Sequence, residues 1–265
     1  MPGPGRLPWL IVFAAVVVLA PRMAAAQGGP PILTDDPDTP GPGHWEINIA
    51  SEIESDANGH RVEAPALDVN YGAGRRVQLK VEMPWVNVRD GGDTSAHGMG
   101  NLNTGVKWRF LGGEHERVSW STYPQVELHT SPVAIDDLPG NARPIVHLPT
   151  ELTVRIVHME INGEVGRSFV SGGDDHWFGG VSTEAEMPRL EIVGELHEDK
   201  ARGAPSTAMA NLGARPRLTP QIWLLVAAGR TLHAGHLAPP LHRYYLGLQF
   251  NLPRRREDEP LLPIR

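Results

Sequence analysis

Apolar and polar residues alternate along this chain with a period of two, in segments about nine to thirteen residues long. Trp45, Ile47 and Ile49 interleave with Glu46, Asn48 and Ala50. Val77, Leu79, Val81, Met83 and Trp85 interleave with Gln78, Lys80, Glu82 and Pro84. The same rhythm runs through 102–110, 118–128, 159–165 and 243–250. Successive side chains of a strand point to opposite faces, so each segment predicts a strand with one greasy and one polar face. Soluble sandwiches alternate too, but their strands are shorter. This length suits a strand crossing a bilayer at a tilt.

Turn signals between the segments predict a topology. Short links fall near 72–74, 112–116, 187–189 and 219–220, and longer polar ones at 56–61, 89–99, 130–143, 171–175, 199–206 and 231–242. A fifth short turn, near 157–159, contains neither Gly nor Pro. Short turns on one side and loops on the other are the habit of outer-membrane barrels. With the short turns in the periplasm, Trp45, Tyr71, Trp108, Phe110, Trp120 and Phe250 fall at that end, and Trp85, Phe169, Trp177 and Tyr244 at the other. Two aromatic belts are expected at two membrane interfaces. The expected fold is therefore all-β: a transmembrane, antiparallel, up-and-down β-barrel of about 12 strands.

Closure follows from the solvent. In hydrocarbon an unpaired backbone N–H or C=O costs several kcal/mol, roughly 2–7, and only a closed sheet pairs every one. Apolar side chains then face lipid and polar ones face a lumen. The lumen-facing candidates are Glu46, Asn48, Lys80, Glu82, Lys107, Arg109, Gln125, Glu127, Glu151 and Arg155. Their mixed signs predict cross-strand pairing in a narrow, partly wet interior.

The remaining segments read differently. Residues 1–26 have the form of a cleaved secretory signal: Arg6, an apolar run over 7–20, then Ala24-Ala25-Ala26 before Gln27. Residues 27–43, rich in Pro, Gly and Asp, form an extended lead-in. The barrel spans 44–250, and 251–265 is a charged tail with Arg254-Arg255-Arg256 and Glu257-Asp258-Glu259. No later segment approaches the roughly 18 apolar residues of a spanning helix. The chain has no cysteine, which excludes a lipid-anchored cysteine and a disulfide framework. Scattered basic residues and a net charge of -7 give no basic stripe for nucleic acid.

Several short motifs carry a resemblance. They are Leu33-Thr34-Asp35-Asp36-Pro37 with Gly43-His44-Trp45-Glu46, then Leu67-Asp68-Val69-Asn70-Tyr71-Gly72, Val77-Gln78-Leu79, Gly98-Met99-Gly100-Asn101 and Gly105-Val106-Lys107-Trp108-Arg109-Phe110. Over residues 33–110 the chain resembles the outer-membrane transporter family labelled "MetA-pathway of phenol degradation". The resemblance implies a barrel linked to uptake of aromatic or other hydrophobic small molecules. It supplies no catalytic residues.

Enzymatic signals are sparse. Twelve histidines are spread along the chain; His60, His97, His176, His233, His236 and His242 fall in expected loops without ligand spacing. Neither a metal nor another cofactor is expected. Asp136, Asp137, Asp174 and Asp175 suit only generic contact with cations bridging lipopolysaccharide. His129 and Ser131 share an inward face, the minimum for a nucleophile beside a base, but no orienting acid is assigned. The expected function is a non-enzymatic outer-membrane channel for passive uptake of small solutes. Its expected partners are outer-membrane lipid, lipopolysaccharide, the solute and, during biogenesis, the barrel-assembly machinery. The alternatives are a plugged structural or sensory barrel, a lipid hydrolase barrel using His129 and Ser131, and a soluble periplasmic ligand-binding β-sandwich.

Overall fold

A computed structural model describes residues 29–90, 95–113, 116–130, 144–234 and 240–253. Twelve strands make one antiparallel sheet. They are β1 (Trp45–Ser55), β2 (Gly59–Gly72), β3 (Val77–Asp90), β4 (Ser95–Met99, resuming as Leu102–Leu111), β5 (Val118–Thr122, resuming as Gln125–Leu128) and β6 (Ile145–Ile156). Then come β7 (Met159–Val170), β8 (His176–Met187), β9 (Leu190–Ala201), β10 (Thr207–Pro216), β11 (Ile222–Ala234) and β12 (His242–Leu252). Each strand pairs with its neighbours in sequence, and β1 pairs with β12 from Trp45↔Leu252 to Ser55↔His242. That last seam closes the barrel, so the sheet has no free edge.

Two strands are interrupted without opening the wall. In β4, a Cβ at Gly100 would lie 2.7 Å from both Val86 Cγ2 and Pro84 Cγ, so only glycine fits there. In β5 the break falls at Tyr123 and Pro124, whose ring removes a donor. The Pro124 carbonyl still accepts from Val106 N at 3.0 Å, and Tyr123 N donates to Pro149 O at 3.2 Å.

Burial is inverted relative to a soluble domain. Leu212 is 66% exposed, whereas Lys107 is 2% exposed and Glu151 not at all. The aliphatic rows point out and the charged rows in, as a lipid solvent requires and a sandwich core would forbid. Outward aromatics cluster where the short turns lie: Trp45 stacks near Tyr71 at 4.6 Å, and Phe110 sits 5.7 Å from Trp108 and 5.3 Å from Trp120.

The loop rhythm is weaker than expected. Strands run on through most of the anticipated loops, leaving 56–58, 171–175 and 202–206 as connections no longer than some periplasmic turns. The longest separation between consecutive strands is 129–144. His60, His97, His176, His233 and His242 accordingly lie in strands, not loops, while His236 lies outside the described residues. The turn lacking Gly and Pro is a two-residue connection, closed by the Ile156↔Met159 pair, with Val157 at φ 54°.

Candidate functional site: a charged lumen crossed by the N-terminal strap

Residues 29–44 do not join the sheet. Pro30, Pro31, Pro37, Pro40 and Pro42 deny this stretch a strand ladder. Asx-type turns fold it instead: Asp36 N donates to Asp35 Oδ1 at 2.8 Å, and Asp38 N to Asp36 Oδ1 at 2.7 Å. This strap lies inside the barrel. Ile32, Thr34, Asp36, Asp38 and Thr39 are all buried there.

At the short-turn end, which the sequence pattern assigns to the periplasm, the strap meets β2. Gly43 N donates to Gly72 O at 2.7 Å. A Cβ at Gly72 would lie 1.7 Å from Gly41 O, so the strap passes only because that position is glycine. Nearby, the Asp38 carboxylate joins two guanidiniums: Arg109 Nη1 at 2.8 Å and Arg155 Nη2 at 2.6 Å. Arg155 also donates from Nε to Glu160 at 2.8 Å. Arg109 has a second tie, from Nη2 to Arg75 O at 2.8 Å.

Deeper in, Lys107 Nζ contacts Asp35 Oδ1 at 3.0 Å, the Asp36 carbonyl, and Glu151 Oε2 at 3.5 Å. It stands 4.7 Å over the Tyr123 ring. The far wall holds the strap by its backbone. Glu195 accepts from Leu33 N at 2.9 Å and Thr34 N at 2.7 Å, and Glu164 from Asp35 N at 3.1 Å. Arg215 donates to Pro30 O at 3.1 Å and to Glu184 at 2.8 Å; Arg243 donates to Pro31 O at 2.9 Å and to Glu52 at 2.6 Å. A Cβ on Gly180 would sit 2.1 Å from Thr34 Oγ1. These contacts reach β2, β4, β6, β7, β8, β9, β10 and β12, so the strap crosses the lumen.

Two cavities that share no lining residue flank this region. The extracellular one, about 300 Å³, is lined by Glu52, Glu54, Glu63, Glu82 and Glu127 against the single guanidinium of Arg61. The periplasmic mouth, about 850 Å³, is lined by strap residues 38–42 with Arg75, Arg76 and Arg109. Arg61 pairs with Glu63 at 2.8 Å, Lys80 with Glu82 at 2.9 Å and Arg243 with Glu52 at 2.6 Å, so the excess negative charge of this cavity rests on Glu54 and Glu127, which attract cations and repel anions, more strongly between low-dielectric walls.

Of the ten lumen candidates, Lys107, Arg109, Glu151 and Arg155 gather around the strap. Glu82 and Glu127 line the extracellular cavity, where Asn101 Nδ2 donates to Glu127 at 2.5 Å. Glu46, Asn48 and Lys80 form a chain through Asp68 that ends on Glu82: Asn48 Nδ2 reaches Glu46 and Asp68 at 3.2 Å each, and Lys80 lies 3.8 Å from Asp68 and 2.9 Å from Glu82. Gln125 accepts from Asn103 at 2.9 Å. Glu164, Glu195, Arg215 and Arg243 escaped selection although strand parity puts them on the same face. Around 177–217 the pattern is blurred by Gly179, Gly180, Gly194 and Gly213, and by inward Val193, which is fully buried.

His129 Nδ1 is buried with no hydrogen-bond partner among the described residues, and Ser131, Asp136 and Asp137 lie outside them. Asp175 is held by Arg167 at 2.5 Å. Among the described residues no three His, Asp or Glu side chains converge as metal ligands.

Fold and lumen together define a twelve-stranded antiparallel barrel of the outer-membrane type. No known family profile matches the sequence, and no curated protein does. Solved structures do match the fold. The COG4313 outer membrane channel from Pseudomonas putida F1 superposes with a TM-score of 0.65 at 14% identity, covering 85% of this chain and 100% of that one. The KdgM porin, in complex with disordered oligogalacturonate, superposes at 0.54 with 11% identity over 77% and 98% of the two chains.

Proposed function

We propose that this protein is an outer-membrane channel for passive entry of small solutes, its bore narrowed by the strap and favouring neutral or cationic molecules. The observation that carries the reading is the closed barrel with an apolar exterior and a charged, cavity-bearing lumen. The likeness to channel barrels and the signal-like residues 1–26 support export to the outer membrane, through the barrel-assembly machinery, beside lipopolysaccharide. The resemblance of residues 33–110 to the phenol-pathway family supports aromatic or hydrophobic solutes. Phe178, stacked 6.4 Å from His197 at 21° and 6.4 Å from His147, offers a ring surface on the inner wall for them. A polyanion such as the oligogalacturonate of the KdgM complex fits poorly against the five carboxylates of the extracellular cavity.

Currents across planar bilayers in a salt gradient test the reading. The expected result is discrete conductance with a cation-selective reversal potential, and liposome swelling with small aromatic amines exceeding that with aromatic carboxylates. One observation favours a second reading: the strap fills the lumen, as a plugged structural or sensory barrel would require. Silence from the full chain together with conductance from a variant lacking residues 29–39 would establish that reading and end the first.

A further inference from the structure

The periplasmic rim repeats one motif six times around the barrel. The residues directly before the six strands that rise from this rim are His44, Arg76, Arg117, His158, Arg189 and Gln221. Each carbonyl accepts a hydrogen bond from the neighbouring strand or its end: from Gly72, Arg109, Arg155, Glu186, Arg217 and Asn251, at 2.8–3.0 Å. The six positions are therefore structurally equivalent, and five carry a cation or an imidazole. Each is followed by an apolar residue: Trp45, Val77, Val118, Met159, Leu190 and Ile222. Strand parity turns these outward, level with the Trp45 and Trp108 belt; of the six residues before them, His44, Arg76 and Gln221 line the periplasmic mouth, whereas Arg117, His158 and Arg189 do not.

Arg76, Arg117, His158 and Arg189 are exposed. Among the described residues, neither the Arg117 nor the Arg189 guanidinium has a hydrogen bond or ion pair. Among the described residues the acids in the connections of this rim are Glu116 and, at a strand end, Glu186, fewer than the arginines, which also include Arg75 and Arg217. In the opposite rim's described connections the acids Asp56, Asp174 and Asp175 outnumber the one arginine, Arg202. Val157, at a turn tip, is 88% exposed in a left-handed conformation that a β-branched residue rarely adopts. Leu218, at another, is 56% exposed. Arg117 and Arg189, each one residue from a ring of apolar side chains, have the chemistry of a headgroup boundary: phosphate at one level, acyl chain at the next.

We propose that this collar is a docking surface for anionic phospholipid headgroups of the periplasmic leaflet, with Arg117 and Arg189 as principal contacts. The inference rests on the outer-membrane placement proposed above, but not on conduction. The test is native mass spectrometry of the full-length barrel, purified in neutral micelles doped equally with phosphatidylglycerol and phosphatidylcholine. The wild type should retain phosphatidylglycerol preferentially and lose it at high salt. An arginine at an anionic surface contributes on the order of fivefold, so R117S/R189S should lose about 25-fold of that preference. R117K/R189K should keep most of it, because the attraction is to charge and not to a bidentate fork. Inorganic phosphate at the same concentration should not displace the lipid, since it lacks the chain that the apolar ring contacts.

Equal retention of the two lipids by the wild type would overturn the proposal. So would an R117S/R189S barrel that still prefers phosphatidylglycerol, or phosphate displacing the lipid as fully as high salt does. Heat-modifiable gel mobility verifies that the variants are folded, and the wild-type salt titration decides the matter even if they are not. Because the readout is lipid retention, a barrel that binds phosphatidylglycerol yet passes no current contradicts only the channel reading.

Discussion

Asp38 is the residue on which the strap's position depends most, and removing its carboxylate gives the sharpest test of the lumen geometry. The side chain is 1% exposed and faces Arg109 and Arg155, whose side chains are 5% and 12% exposed. Breaking a buried pair by deleting one partner costs about 3–5 kcal/mol, because the remaining charge is stranded. Arg155 keeps Glu160 and is not stranded. Arg109 keeps only the Arg75 carbonyl, so the low end, about 3 kcal/mol, applies. In a detached state Arg109 is free to meet water at the periplasmic mouth, so this cost falls on the strap-bound state alone. Asp38→Ala should therefore raise the detached population by about two orders of magnitude. Because the chain has no cysteine, a single Thr34→Cys reports on detachment. Thr34 is fully buried and its Oγ1 has no hydrogen-bond partner, so the probe itself perturbs little. The labelling rate with a thiol reagent should rise about a hundredfold in the Asp38→Ala background, with heat-modifiable mobility unchanged. A rate within about threefold of the T34C parent would mean that the Asp38 clasp does not hold the strap.

Three further outcomes follow from single contacts. Gly180→Ala puts a Cβ 2.1 Å from Thr34 Oγ1, an overpacking of about 1–3 kcal/mol that the strap must relieve by shifting; single-channel currents should increase, and T34A/G180A should return them to the wild-type level. Val157→Gly should raise the urea midpoint, by about 1 kcal/mol of stability, because glycine adopts φ 54° without the side-chain clash and an 88%-exposed valine surrenders no protein packing. An unchanged or lower midpoint would show that Val157 gains its place from lipid contact instead. Glu54→Gln with Glu82→Gln removes two of the five carboxylates of the extracellular cavity and should shift the reversal potential toward that of an unselective pore; a potential that does not move would place selectivity elsewhere.

The barrel was legible because one rule governs almost every strand. Parity separates Lys107 and Arg109 from Val106 and Trp108 without reference to any partner, and lipid outside enforces the separation along the whole strand. Loop extents were not legible. Where a strand leaves the hydrocarbon its polarity rule lapses, so His60, Asp199 and Thr231 read as loop residues while their backbones continue the ladder. The strap's destination was hidden for another reason. Thr34, Asp35, Asp36 and Asp38 have no periodicity, and an acidic Pro-rich stretch is equally at home in water. The clue lay in the wall: Lys107, Arg109 and Arg155 cluster near one end of β4 and β6, and Glu151 and Glu160 pair with Lys107 and Arg155 but leave Arg109 without a strand carboxylate. A buried excess of cations calls for a carboxylate from elsewhere in the chain.

That same wall shows why strap and barrel are separable. Four of the five cations that touch the strap are also paired with a strand carboxylate: Lys107 with Glu151, Arg155 with Glu160, Arg215 with Glu184 and Arg243 with Glu52. If the strap leaves, these four charges stay compensated, and the cost of a lone buried ion does not arise. Arg109 is the exception, and it lines the periplasmic mouth where water can reach it. The strap's own carboxylates, Asp35, Asp36 and Asp38, would be rehydrated on leaving. A segment meant only to fill the core would be the sole partner of the charges it covers, as buried pairs in soluble domains usually are. Here the pairing of four of the five cations is duplicated on the wall, and what the strap alone supplies is the Asp38 carboxylate for Arg109 and backbone donors for Glu164 and Glu195, so it contributes occlusion more than charge compensation.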